Sequence, residues 1–162
     1  MVAQNPKVVK YIYQLKKTDQ QITIDCLIYE NSWATAQIAS NFIRNAPIDN
    51  ALPAKKTEVR MLCDAENLYL LAVCYDDRNY VIQTLKRDGF GDSDEFAILI
   101  DPVGNKASGY GFGVNAMGAQ TEVIISPKNV DITWDNRWYS SVHRHDDKWI
   151  VEKKIPLKRN MS

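Results

Sequence analysis

Histidine is almost missing from this chain: there are two in 162 residues, His143 and His145. No Gly-x-Ser-x-Gly elbow, phosphate loop, dinucleotide fingerprint or His-Glu-x-x-His occurs either, which removes the commonest hydrolase, nucleotide and zinc-protease chemistries. Cysteine is scarce and odd in number. Cys26, Cys63 and Cys74 cannot all pair within one chain, and without a Cys-x-x-Cys they argue against structural zinc. Buried free thiols are the expectation. No run of about 18 apolar residues is present, so no helix of this sequence is long enough to insert in a membrane. The opening Met1-Val2-Ala3-Gln4-Asn5 is too polar for a signal h-region, although a removed signal leaves such a start. Net charge is absent as well: 20 Lys and Arg balance 20 Asp and Glu. The bases fall in short pairs such as Lys16-Lys17, Lys55-Lys56 and Lys153-Lys154, with no stripe for nucleic acid or an anionic surface.

What is present is 45% hydrophobic and 25% charged, the make-up of one globular domain spanning residues 1–162 with a core over 8–157. Period-two alternation dominates. Strands are predicted over 8–15, 21–25, 58–63, 68–75, 96–100, 110–114, 121–125, 138–143 and 149–155. Three hairpins follow, turning at Asp64-Ala65-Glu66-Asn67, Asn115-Ala116-Met117-Gly118 and Arg144-His145-Asp146-Asp147. The nearly continuous apolar run 96–100 reads as a central strand buried on both faces. Helix is confined to short turns over 32–37, capped by Asn31 or Ser32, and 80–85. The fold class expected is all-β: an antiparallel β-sandwich, jelly-roll or immunoglobulin-like, with one or two short helices.

Three segments carry candidate chemistry. Asp88-Gly89-Phe90-Gly91-Asp92-Ser93-Asp94-Glu95 packs acids and glycines before a hydrophobic strand, a pattern that suits calcium, with Asp92, Asp94 and Asp101 as the ligands; a solvated turn capped by the same aspartates is the other reading. In Gly109-Tyr110-Gly111-Phe112-Gly113-Val114-Asn115, alternation sends Tyr110, Phe112 and Val114 to the core and the glycines with Asn115 to the other face. Glycine inside a strand marks close approach by something else. If Thr121, Val123 and Ile125 face the core, then Gln120, Glu122 and Ile124 edge a glycine-floored trough that suits a sugar; a neighbouring loop or domain filling it is the alternative. Trp134 and Trp138, in a polar stretch, are the candidate aromatic wall, whereas Trp33 and Trp149 read as core. His143 and His145 share a strand face and can hold a metal ion, but exposed turn-proximal residues are the simpler expectation.

The chain also resembles a known family. Ile22-Thr23-Ile24-Asp25 with Glu30 and Trp33, residues 57–64 with Asn67-Leu68-Tyr69-Leu70, Asp92-Ser93-Asp94-Glu95-Phe96 with Ile100-Asp101, and Trp149-Ile150-Val151-Glu152 with Ile155-Pro156 resemble, in order, the motifs of family 9 carbohydrate-binding modules. The resemblance implies a jelly-roll-like sandwich, bound calcium, and sugar held between aromatic rings with polar contacts. Carried over by residue, the acidic contact falls on Glu95 and the amide on Asn115, while Phe90 stands near a position the family fills with tryptophan. The family's arginine corresponds to Gly113, its second tryptophan to Leu157, and its opening glycine to Cys26. One branch is an exported N-terminal domain of Bacteroidetes-type proteins that continue into an outer-membrane barrel, which implies a periplasmic or surface location and a domain excised from a larger protein.

The function expected is a non-catalytic module that binds a polysaccharide or oligosaccharide through Phe90, Glu95, Asn115, Gln120, Glu122, Trp134 and Trp138. The alternative is an interaction domain that packs on its own barrel or a partner without binding sugar. A haem-binding relative would need an axial ligand from Met61, Met117, His143 or His145, and no haem is expected.

Overall fold

The computed structural model describes residues 11–44, 51–77, 80–81, 85, 87 and 93–157. Two sheets pack face to face. One has five strands in the order β1 (Lys16–Lys17), β2 (Thr57–Cys63), β3 (Asn67–Tyr75), β9 (Lys148–Pro156) and β8 (Tyr139–Arg144). The other has four: β4 (Glu95–Ile100), β5 (Gly109–Asn115), β6 (Gln120–Ser126) and β7 (Asn129–Asp131). Only β1 runs parallel to its neighbour among the named strands. With one helix among the described residues, α1 (Asn31–Thr35), this is the β-sandwich that the alternation predicts.

The hairpin β2–β3 forms where turn chemistry places it. The Asp64 carboxylate accepts N–H bonds from Glu66 and Asn67 and the Tyr69 hydroxyl. Burial alone would raise the Asp64 carboxyl, but the Tyr69 hydroxyl and these amides outweigh it and hold it at about 2. The apolar strand β3 then becomes the centre of the molecule, buried along nearly its whole length. Leu68, Leu70, Ala72 and Cys74 face the second sheet with Phe112, Val114, Trp138 and Trp149. Tyr69, Leu71 and Val73 face outward and are covered by Ile22, Cys26, Trp33 and Ala36 of the N-terminal segment. Trp33 and Trp149 are therefore core, as expected. All three cysteines are free, Cys26 and Cys74 buried, and burial pushes the Cys74 thiol up to about 12.

Several expectations change. The run 96–100 is not a central strand but the edge strand β4, in which alternate residues reach the surface and Leu99 is 65% exposed; β3 takes the central place of the five-stranded sheet, with cover on both faces. Of the strand expected over 8–15, residues 8–10 lie outside those described and 11–15 pair with nothing; pairing begins at Lys16. Residues 21–25 form no strand, because the chain turns at Cys26 (φ 61°) and Ile28 (φ 54°) and its amides bond elsewhere. The helix begins one residue early, with Glu30 at the N-cap and no side-chain cap. Of the turn expected over 80–85, residues 82–84 lie outside those described, and Tyr80, Val81 and Leu85 are not helical.

Two charged side chains are sealed in β9, side by side and on opposite faces. Glu152 is 0% exposed and accepts the N–H groups of Asp25 (2.9 Å) and Cys26 (2.7 Å), tying the N-terminal cover to the sheet. Lys153 is also 0% exposed; it points between the sheets and donates to the carbonyls of Phe96 (2.7 Å) and Phe112 (2.8 Å).

Candidate functional site

The glycine strand folds as its alternation requires. Phe112 and Val114 are buried in the core, and Tyr110 packs against it. The register with β6, however, places Phe112 opposite Glu122, Gly111 opposite Val123 and Gly113 opposite Thr121. Directly paired residues share a face, so Gln120 and Glu122 point inward and Thr121 and Val123 join the glycines outside. This reverses the expected assignment. The cause is loop length: Val114 pairs with Gln120, so five residues rather than four lie between the last paired positions, and one residue of register moves every side chain to the other face. Asn115 Oδ1 closes this loop by accepting the Met117 and Ala119 amides (each 3.0 Å).

The glycines face no open trough. A Cβ on Gly111 would lie 2.6 Å from Val123 Cγ2 and 2.9 Å from Leu99 Cδ2, and one on Gly113 would lie 1.8 Å from Glu95 Oε1. Neighbouring strands of the same sheet fill the space, and Glu95 lies where the side chain of an arginine at position 113 would have to start. A graded outcome follows for alanine substitutions. Gly109→Ala is expected to cost most, about 3 kcal/mol, since its Cβ would sit 2.4 Å from the rigid Ile100 carbonyl. Gly111→Ala should follow, and Gly113→Ala should be mildest because a flexible carboxylate can swing aside. Urea midpoints measure the order; a costliest Gly113→Ala would contradict it.

The inward shift of Glu122 builds a different site. Its side chain is 1% exposed. Oε2 accepts the Trp138 indole N–H (3.1 Å), and Oε1 accepts Arg87 Nη2 and the Asn136 amide (3.4 Å). Arg87 Nη2 also reaches Asp135 Oδ1 at 3.0 Å. A buried carboxylate needs such partners, and an indole tolerates burial when its N–H finds an acceptor. That corrects the picture of Trp138 as an exposed wall: it is core, edge-on to Phe112 at 5.6 Å between centroids. Trp134 is half-buried against Tyr110 (5.3 Å) and Phe112 (5.9 Å). Gln120 Nε2 crosses to Ser140 Oγ of β8 at 2.9 Å.

Beside this cluster opens a depression of about 520 Å³ lined by Arg87, Asp135, Asn136, Arg137 and Trp138. It offers two guanidinium forks, an exposed carboxylate and an indole, set on a fixed ion pair. The guanidinium and carboxylate groups hydrogen-bond hydroxyls in pairs, and Trp138, buried beneath them, forms the apolar floor. Of the residues expected in the site, Gln120, Glu122, Trp134 and Trp138 gather on this inner side. Glu95 and Asn115 stand on the opposite face of the same sheet, and Phe90 lies outside the described residues. Arg87, Asp135, Asn136 and Arg137 were not among the sequence candidates. For Asp135, Asn136 and Arg137 the only signal was the polar run between the two tryptophans; Arg87 lies far from it in the chain.

The expected calcium ligands do not come together. Asp94 and Asp101 flank the six-residue strand β4, which sets them roughly 20 Å apart, too far to share an ion. Both Asp101 oxygens accept backbone amides: Oδ1 those of Val103 and Gly104, Oδ2 that of Lys106. The bond from the Lys106 amide does most to hold its carboxyl below the usual range. Asp94 Oδ2 accepts the Val81 amide (2.7 Å), and Asp92 lies outside the described residues. Among the described residues no group of three or more His, Cys, Asp or Glu side chains could hold a metal.

This architecture has known counterparts. A family 9 carbohydrate-binding module from Caldicellulosiruptor kristjanssonii, in complex with glucose, matches with a TM-score of 0.66 at 20% identity, over 94% of this chain and 72% of that one. A family 9 module of the same organism in complex with cellotriose gives 0.63 at 19%, over 90% and 68%. At these identities the likeness is one of fold. No curated protein matches the chain. Residues 24–162 do match the family described as carbohydrate family 9 binding domain-like. That span takes in every named strand but β1, the hairpins that build the two sheets and the Glu122 cluster, and the chain belongs to this family.

Proposed function

We propose that this domain binds a carbohydrate in the depression formed by Arg87, Asp135, Asn136, Arg137 and Trp138, above the buried Glu122. Its family is one of binding modules, and the domain is not an enzyme. The observation that carries the choice of site is Glu122 itself. A carboxylate with almost no exposure, held by an indole N–H and a guanidinium, fixes both groups in orientation before any ligand arrives. Preorganised polar forks beside an aromatic ring lose little entropy on binding, and sugar hydroxyls supply the donors and acceptors they need. The glucose and cellotriose complexes of the two Caldicellulosiruptor modules support the ligand class.

Calorimetric titration with glucose, cellotriose and a panel of soluble polysaccharides tests the proposal. Saturable binding is expected. Asp135→Asn and Arg137→Gln, both on exposed side chains, should each weaken it several-fold without changing stability, and Arg87→Gln more strongly. An absence of binding across the panel refutes the reading; binding that all three variants leave intact moves the site elsewhere.

A further inference from the structure

The two histidines take no part in that depression. They lie on β8, the edge strand of the five-stranded sheet, and on the turn that follows it. We propose that His143 and His145 form a two-imidazole site for a borderline divalent transition metal, of the copper(II), nickel(II) or zinc(II) class.

Spacing supplies the first reason. Positions i and i+2 of an extended strand put both side chains on one face, roughly 7 Å apart at Cα. The rings already stand together, with centroids 4.7 Å apart and planes 34° from parallel, so a chelating ion need order little more. Both residues are exposed. Among the described residues neither imidazole has a side-chain hydrogen bond or an ion pair, and the ring contact of each is with the other.

The backbone beneath them is anchored. His143 sits opposite Ile150 in the β8–β9 ladder. The His145 amide donates to Lys148 O at 2.8 Å, and its carbonyl accepts the Tyr80 hydroxyl at 3.0 Å. A rigid platform of this kind is what a ligand pair needs. The rings border an open depression of about 500 Å³ lined also by Tyr80, Val142, Arg144 and Asp146, which leaves room for water to complete the coordination. Arg144 opposes a cation there and Asp146 offsets it. No third His, Cys, Asp or Glu joins the pair among the described residues, so affinity rests on the two nitrogens. Imidazole favours copper over nickel and zinc, and calcium, which takes oxygen ligands, is excluded.

The test is titration of the whole chain with copper(II) chloride, in a Cys63→Ser background that removes the one half-exposed thiol. One equivalent is expected to bind, with nitrogen hyperfine structure in the electron paramagnetic resonance spectrum. His143→Gln and His145→Gln should each lower affinity at least tenfold and together abolish it, at unchanged melting temperature. Calcium chloride should not compete. No saturable one-to-one binding, an oxygen-only spectrum, or affinity that His143→Gln leaves within twofold would overturn the site.

Discussion

Replacing Glu152 with alanine is expected to destabilise the domain by about 3 kcal/mol in urea unfolding. The carboxylate has no exposure, and its removal leaves the Asp25 and Cys26 amides without their acceptor inside a packed cluster. Two orphaned buried donors and the space of a missing side chain together account for that figure. Glu152→Gln keeps an oxygen for both amides and should stay within about 1 kcal/mol. The conservative variant has a second use. Burial raises the Glu152 carboxyl above its ordinary value of 4.5, against the pull of the two amides. Below that value both folded and unfolded chains hold the proton, and the group's contribution is fully present. As pH rises from 4.5 through the folded value, the unfolded chain ionises first, and stability falls. Glu152→Gln should lack this fall; parallel pH profiles for the two proteins would contradict the assignment.

Lys153→Met should change stability with the opposite pH dependence. Burial between the sheets lowers the Lys153 ammonium from 10.5 to about 7, against the attraction of Glu95. Between those values the unfolded chain binds more protons than the folded one, so wild-type stability rises with pH, at about 1.4 kcal/mol per unit. From pH 7 to 9 the rise is about 2 kcal/mol. Below pH 7 both states are protonated and the buried charge weighs fully against the fold. The methionine variant fills a similar volume without a charge. It should be more stable than wild type at pH 6, with an advantage that shrinks by pH 9. Denaturant titrations at three pH values decide it, and a constant difference between the proteins would refute it.

The hairpins were legible because their signals are local. Asp64 and Asn67 carry both the turn and its hydrogen bonds within four residues of chain. Trp33 and Trp149 were legible as core for the same reason. The candidate site was half legible. Glu122, Trp134 and Trp138 stood out as residues, but the side to which Glu122 points depends on one residue in the length of the 115–119 loop. Hydrophobicity could not reveal that, since Thr121, Val123 and Ile125 look as fit for a core as their neighbours do. Arg87 could not be placed at all. Its partners Glu122 and Asp135 lie 35 and 48 residues away in sequence.

By itself the amino-acid order determined a β-sandwich, its central hairpins and its family resemblance, because period-two patterning, turn residues and motif order are written along the chain. Tertiary structure decided which strand is central, which face each polar residue takes and where Glu152 and Lys153 find partners. Glu152 bonds an amide 127 residues away. Burial of that kind arises when segments far apart in the chain close on one another, and no window of sequence contains both sides of the contact.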